Sequence, residues 1–290
     1  MPERLISIVI PVYNEEAAIG EDLDTIIETM EASGREYEVI VVDDGSTDRS
    51  AEIVRQRPQV RLIQHPYNQG VGAGRTTGVR AARGEVIVMT DGDGSYPNHD
   101  VPRLLAHVGE YDMVVGARKR ETGSLKLLRT PVKLFVRLLA SYLTETRIPD
   151  LNSGFRAFKK GMAERYLDIL PRGHSWVGTI TVAFLSGGYT VKYIPIDYYK
   201  RKGKSSIHPI RDTWNYFLLV VRMAMYFNPL KVLLPISLLL LAVGGVKLVR
   251  DLIVYNFHVP TSTVMIVLTG IQLGALGLLA DLIVKRDRRS

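Results

Sequence analysis

Tyr37-Glu38-Val39-Ile40-Val41-Val42-Asp43-Asp44-Gly45-Ser46-Thr47-Asp48 is an apolar, β-branched run that stops abruptly at carboxylates. Such a run is read as a strand covered on both faces. The same pattern recurs at Leu5–Ile10, closed by Pro11, at Val60–Gln64, and at Glu85–Thr90, closed by Asp91-Gly92-Asp93. Tyr111–Val115 is one more. Between these runs the period changes. Glu15–Ser33 places Ile19, Leu23, Ile26, Ile27 and Met30 on one helical face, and Thr47–Arg57 and Gly70–Arg83 also read as helices. Strands alternating with helices imply an α/β fold with a Rossmann-like, mainly parallel sheet. In such sheets ligands bind at the carboxyl ends of the strands. Asp43-Asp44 and Asp91/Asp93 both stand there, so both are expected to face one crevice.

Outward from this core the character changes. The 290 residues are 46% hydrophobic, with a net charge of +7 and no cysteine. Disulfide and thiolate chemistry are excluded, and an anionic partner is expected. The opening residues Met1–Arg4 do not read as a signal peptide. Residues 124–147 read as a basic amphipathic helix, with Lys126, Arg129, Lys133 and Arg137 on one stripe. Residues 208–227 form a second, with Arg211 and Arg222 among aromatics. Both suit a membrane interface.

Val232–Val249 and Val264–Val284 read as membrane spans, although Pro235, Gly244-Gly245 and Lys247 interrupt the first. Lys231 flanks the entry and four positive residues follow Val284, so catalytic domain and both termini are expected in the cytoplasm. The division is residues 1–228 for a soluble domain with its interfacial helices, then 229–290 for a transmembrane hairpin. Small residues at Gly244, Gly245, Gly270, Gly274, Ala275 and Gly277 permit close helix packing, from which homo-oligomerisation is expected.

Two carboxylates one residue apart at a strand end suit a divalent cation that also binds a diphosphate. Carboxylates at the ends of the first two strands suit a base N–H or ribose hydroxyls. Ser46, Thr47 and Asp48 equally suit helix capping.

Taken as a set, Pro11-Val12-Tyr13-Asn14-Glu15-Glu16, Val42-Asp43-Asp44-Gly45-Ser46-Thr47-Asp48, Asn68-Gln69-Gly70-Val71-Gly72-Ala73 and Asp91-Gly92-Asp93 resemble the family 2 glycosyltransferases. Asp150-Leu151-Asn152-Ser153-Gly154-Phe155-Arg156 and Arg201-Lys202-Gly203-Lys204-Ser205 narrow the resemblance to the dolichyl-phosphate mannose synthase and polyprenyl-phosphate glucosyltransferase branch. The resemblance covers residues 5 to about 228 and implies a GT-A fold. It implies nucleotide contacts from Pro11, Tyr13, Glu15, Asp43 and Asp44. Asp91 and Asp93 would hold Mg2+ or Mn2+ and the diphosphate. Arg118, Arg129, Lys133, Arg137 and Arg156 would meet the lipid phosphate and diphosphate, and Lys202 and Lys204 would close over the phosphates. Asp150 is the one extra base named, beside a structural role for it in its loop. Related enzymes often carry Gln two residues after the second Asp, where this chain has Ser95.

The implied reaction is inverting transfer of a hexose from a UDP-glucose- or GDP-mannose-type donor to a polyprenyl phosphate, undecaprenyl or dolichyl. A flippase partner is expected for the lipid-linked product. Two alternatives stand beside it: a non-catalytic membrane scaffold, and a polysaccharide synthase-type transferase. The latter type carries a Gln-x-x-Arg-Trp block, in which neither Trp176 nor Trp214 sits. A dinucleotide site would need its glycines after the first strand, where Pro11-Val12-Tyr13-Asn14 stands. Nucleic acid is not expected, because the positive residues gather at the membrane-proximal segments.

Overall fold

The computed structural model describes residues 5–119, 137–202, 221, 225–254 and 259–287. The chain divides into two compact units, Met1–Leu219 and Val220–Ser290.

The first unit is built on one seven-stranded sheet with strand order β3-β2-β1-β4-β6-β5-β7. Its strands are β1 (Ile6–Val12), β2 (Tyr37–Asp43), β3 (Val60–Gln64), β4 (Val86–Met89), β5 (Met113–Arg118), β6 (Arg156–Lys159) and β7 (Val191–Ile196). The helices are α1 (Ile19–Ser33), α2 (Ser50–Arg55), α3 (Val71–Ala81), α4 (Val101–Leu105), α5 (Lys160–Glu164) and α6 (Trp176–Ser186). β1 pairs in parallel with β2 and β4, and β2 with β3. β6 is antiparallel to both β4 and β5, and β5 is parallel to β7. The sheet is therefore mainly parallel, with one reversed strand threaded through its centre.

Alternation along β1 shows why both faces are apolar. Ile8 and Ile10 are buried with Leu23 and Ile26 of α1. Val9 points the other way, into a cluster with Val79 of α3 and Trp176 of α6. Each such side chain contributes about 1.5–3 kcal/mol on full burial. α3 lies close to β1 because its facing residues lack side chains. A Cβ on Gly78 would come within 2.3 Å of Val9, and one on Gly74 within 3.2 Å of Pro11.

β6, β7 and α6 do not follow from the sequence pattern above. Arg156 and Lys159 break the apolar run of β6, so it carries no buried-strand signature. The strand tolerates Arg156 because the fold satisfies its guanidinium (see below). Of the two expected interfacial helices, residues 137–144 are helical and expose Leu138 and Tyr142 while burying Ala140 and Leu143. Residues 124–136 and nearly all of 208–224 lie outside the described residues.

The second unit is a helical hairpin of α7 (Pro229–Val254) and α8 (Thr261–Asp287), both longer than the expected spans. At ~1.5 Å per residue each exceeds the ~30 Å of a bilayer's hydrocarbon core. Leu239, Val246, Ile253 and Leu282 project outward. The two helices pack on each other through small residues. A Cβ on Gly244 would meet Val267 at 2.7 Å, one on Gly270 would meet Leu241 at 2.9 Å, and one on Gly274 would meet Ser237 at 2.8 Å. Ser237 Oγ donates to the Gly270 carbonyl at 2.7 Å. The glycines that suggested oligomerisation are thus used inside the hairpin, with the exception of Gly245, which faces open space.

Candidate active site

The carboxyl ends of β1, β2 and β4 each turn into a polar loop, and hydrogen bonds tie the first two loops together. Asn14, in the left-handed region at φ 55°, donates its N–H to Ser46 Oγ and accepts from the Thr47 N–H. Glu15 N–H donates to Ser50 Oγ, and Glu16 N–H to Asp48 Oδ2. Asp48 also accepts from the Ser50 N–H at the start of α2, so it caps and cross-links at once. Beside this zipped pair of turns, Tyr13 is part-exposed and Pro11 is buried within β1.

Asp43 and Asp44 are both buried, but they serve different neighbours. Asp43 accepts from the Ser46 N–H and from Gln64 Nε2, each at 3.0 Å. Asp44 accepts from the Gln69 and Gly70 N–H groups, with His65 Nδ1 2.7 Å away. Expected at the nucleotide, Asp44 is used to anchor the 65–70 loop. The glycines of that loop also have a steric purpose. A Cβ on Gly72 would lie 2.3 Å from the Pro171 carbonyl oxygen, and Gly72 N–H donates to the Arg172 carbonyl at 2.7 Å. The N-terminus of α3 is thus capped by chain backbone, which gives a physical reason why these glycines are not a dinucleotide fingerprint.

The acidic cluster follows β4. Arg75 of α3 donates to Asp91 Oδ1 at 2.7 Å. Asp93 Oδ1 accepts from the Ser95 N–H at 3.1 Å and from Ser95 Oγ at 2.5 Å. Ser95 is fully buried, so its hydroxyl orients Asp93 rather than extending the donor set. Glu15 completes the cluster, and Arg201 lies across it. Arg201 forms an ion pair with Glu15, and its Nε is 3.5 Å from Asp93 Oδ2. The segment bearing Arg201 is strapped to the Asp93 turn by Lys202 N–H to the Asp93 carbonyl and Tyr199 N–H to the Ser95 carbonyl. Lys202 itself pairs with Glu21. Among the described residues of the Arg201–Ser205 motif, Arg201 reaches Glu15 and Asp93, while Lys202 reaches Glu21.

Burial, with the neighbouring carboxylates adding to it, shifts the titration of these acids. Burial pushes Glu15 up to about 7, with Arg201 opposing and Asp93 and Asp91 adding. Burial and the Asp91 charge also push Asp93 up, against Ser95 and Arg201. Asp22 of α1 is a further member that sequence reasoning missed. Burial raises it to about 6, while it accepts from the Gly94 N–H and Asn98 Nδ2.

Among the described residues no group of three or more Asp, Glu or His side chains is placed to hold a metal ion by itself. An open pair is what Mg2+ or Mn2+ takes when substrate phosphates complete its shell. Two observations fit such a cation at Asp91 and Asp93. Burial, with the Asp91 charge adding to it, raises Asp93, which a cation would relieve, and buried Glu15 Oε2 has no hydrogen-bond partner among the described residues.

At the end of β5, Arg118 and Asp150 form a two-pronged ion pair, with Nε to Oδ2 at 2.7 Å and Nη2 to Oδ1 at 2.9 Å. Arg118 also lies over the Tyr198 ring, 5.1 Å from its centroid. Burial raises Asp150, but the bonds from Arg118 outweigh it and hold the carboxyl below its ordinary value. An acid held this firmly as a carboxylate is a poor proton acceptor. Asp150 positions Arg118.

Arg156, expected at a phosphate, is fully buried. Its guanidinium donates to the Ser153 and Val177 carbonyls and to Thr181 Oγ1. It fixes the 150–154 loop from below and has no open face. Arg137 donates to the Pro149 carbonyl at 3.4 Å, at the start of the same loop. Arg129, Lys133 and Lys204 lie outside the described residues.

Residues 7–167 match the profile of glycosyl transferase family 2. The chain belongs to this family. Its C-terminal residues 228–285 match a second profile, the GtrB C-terminal hairpin. Among curated relatives of this family 2 chain is dolichyl-phosphate beta-glucosyltransferase ALG5C of Trichomonas vaginalis. It is 34% identical over 180 residues, which is 56% of this chain and 53% of that protein. Another is undecaprenyl-phosphate 4-deoxy-4-formamido-L-arabinose transferase of Pseudomonas aeruginosa strain LESB58, 33% identical over 171 residues, 57% of this chain and 50% of that one. The chain spans about half the length of these relatives. Glucosyl-3-phosphoglycerate synthase of Mycobacterium tuberculosis, crystallised with Mn2+ and UDP-glucose, has the same fold. The TM-score is 0.61 at 20% identity, over 76% of this chain and 79% of that one.

Proposed function

We propose that this family 2 enzyme transfers one hexose from a nucleoside diphosphate sugar to a polyprenyl phosphate, with inversion at the anomeric carbon. The observation that carries the reading is one juxtaposition. Tyr96 Oη accepts from the N–H of Gly154, which lies against Asp91, and the Tyr96 ring meets Tyr198, over which Arg118 lies, so the Asp91 end of the acidic cluster and the Arg118–Asp150 pair flank one tyrosine. In this reading an acidic donor site and an acceptor site at Arg118 adjoin, in a chain that continues into a hairpin long and apolar enough to cross a bilayer. The two curated relatives named above act, by their names, on dolichyl and undecaprenyl phosphates, which supports the acceptor.

In this reading Pro11, Tyr13, Glu15 and Asp43 form the nucleoside pocket. Asp91 and Asp93 would hold Mg2+ or Mn2+ at the diphosphate. A divalent cation there supplies charge neutralisation for the departing nucleoside diphosphate. The neighbouring synthase is crystallised with Mn2+ and UDP, which supports this choice. The acceptor needs little activation, because a phosphate monoester with a second pKa of ~6 is largely dianionic at neutral pH. It needs a clamp and alignment. Arg118, oriented by Asp150, supplies the clamp, with Arg129 and Lys133 as further candidates by sequence. Asp44 and Arg156 hold the surrounding loops. The positive residues at both ends of the hairpin support a cytoplasmic catalytic domain, and a lipid-linked product would then pass to a flippase.

A donor-by-acceptor screen tests this. The purified chain in detergent would receive radiolabelled UDP-glucose, UDP-N-acetylglucosamine or GDP-mannose, with Mg2+ or Mn2+, with and without polyprenyl phosphate. Label entering the lipid phase from one donor, and lost in Asp91→Ala/Asp93→Ala, is the expected result. Label entering a polymer instead would identify a polysaccharide synthase-type enzyme. Donor binding without transfer to any acceptor would leave the membrane scaffold.

A further inference from the structure

Asp91 is held from two sides by residues distant from it in the chain. On one side Arg75 donates to Oδ1 at 2.7 Å. On the other, a Cβ built on Gly154 would lie 2.8 Å from Oδ2 and 3.2 Å from Cγ. Both flanks are themselves fixed. Arg75 is 4% exposed, on a helix pinned to β1 through Gly74 and Gly78 and capped by the Arg172 carbonyl. Gly154 N–H donates to Tyr96 Oη at 2.7 Å, and Tyr96 stacks on Phe155. Arg75 Nε finds no hydrogen-bond partner among the described residues although it is buried. The guanidinium therefore sits where Asp91 needs it, at the expense of its own pairing.

We propose that Arg75 is a positioning residue for the divalent cation site: it fixes the Asp91 carboxylate by one oxygen, against the gap kept open by Gly154, so that the carboxylate meets cation and diphosphate in a single orientation. This deepens the reading of Asp91 and Asp93 as a cation and diphosphate site and rests on it. The role has a sign that electrostatics alone would reverse. A guanidinium beside a carboxylate repels an incoming cation, so its removal as a mere charge should tighten cation binding. Removal of an outer partner that orients a ligand weakens it, typically by about 10–100-fold.

The test is Mn2+ binding, followed by electron paramagnetic resonance, to the full chain in detergent with saturating UDP and, in parallel, GDP. Arg75→Met should weaken Mn2+ binding by about 10-fold or more, and Arg75→Lys should recover most of it. Gly154→Ala should weaken it comparably with Arg75 intact, since the added methyl displaces the same carboxylate. Mn2+ binding as tight as wild type or tighter in Arg75→Met overturns the proposal. If Arg75→Met fails to fold, as judged by thermal unfolding, Gly154→Ala decides: binding within about 2-fold of wild type overturns the proposal. Unchanged binding in Asp91→Ala overturns the underlying site reading and this proposal with it, which separates the two failures.

Discussion

Arg201 Nε stands 3.5 Å from Asp93 Oδ2 while the same guanidinium is paired with Glu15. A cation from the chain itself thus bridges two carboxylates from different strand ends. On the proposed function, a divalent cation held by Asp93 would displace Arg201, which would then be free to pair with the diphosphate. Arg201→Ala is therefore predicted to tighten Mn2+ binding in the absence of nucleotide and to weaken nucleotide diphosphate binding by about 10-fold, the equivalent of ~1.4 kcal/mol. Calorimetric titration with each alone measures both. Parallel weakening of the two would show that Arg201 only supports the fold.

The Arg118–Asp150 pair predicts a shared phenotype. Arg118→Ala and Asp150→Asn should each reduce use of the lipid acceptor by about 100-fold, with little change in nucleotide binding. Because Asp150 is held as a carboxylate, the pH–rate profile near neutrality should lack a limb that belongs to it. A rate limb that disappears in Asp150→Asn would make Asp150 a base instead.

Stability should depend on pH through groups shifted in both directions. Glu15 rises from its ordinary 4.5 to about 7, and Asp22 from 3.8 to about 6. A raised group binds its proton more tightly in the folded state. Its contribution is full below the unfolded value and is lost as pH rises through the folded one. The donor-free chain should therefore melt at a higher temperature at pH 5.5 than at pH 8. Glu15→Gln should flatten the upper part of that slope and Asp22→Asn the lower part. Asp150, held down by Arg118, acts in the opposite sense, and its contribution is lost as pH falls through its depressed folded value. Differential scanning fluorimetry between pH 5.5 and 8 checks the two raised groups, and its extension below pH 3.8 checks Asp150.

Gly72→Ala should be strongly destabilising, by about 1–3 kcal/mol or more, because its methyl would meet the Pro171 and Arg172 backbone rather than a side chain that can turn away. Gly161→Ala, with open space at the same position, serves as the control. Denaturant unfolding of the two variants should separate them.

In the hairpin, Gly270→Leu and Gly274→Leu should force α7 and α8 apart, since Leu241 and Ser237 already fill that space. Gly245→Leu should be tolerated, with nothing within 4 Å of its Cβ position. Cross-linking between cysteines introduced on the two helices would report the separation. Loss of contact in Gly245→Leu would place a further interface there.

The sequence by itself determined what local pattern can encode. Continuous apolar runs mark β1, β2 and β4, because strands covered on both faces need no polar alternation. The acids that follow those runs mark the edge where ligands collect, and two long apolar stretches mark the hairpin. Only the tertiary structure decided which acids act together. Asp43 and Asp44 are adjacent in the chain, yet one keeps to the 43–46 turn and Gln64 while the other anchors a different loop. Arg75, Asp22 and Arg201 join the cluster from α3, α1 and a late strap, through contacts that no local periodicity records. β6 stayed hidden because a charged residue in a central strand contradicts the local signal. Arg156 is acceptable there only because the nearby Ser153 carbonyl and two oxygens of α6, from Val177 and Thr181, converge on it. Local pattern sets which backbone forms and which face is apolar. Partnership between polar groups depends on which distant elements meet, and packing alone settles that.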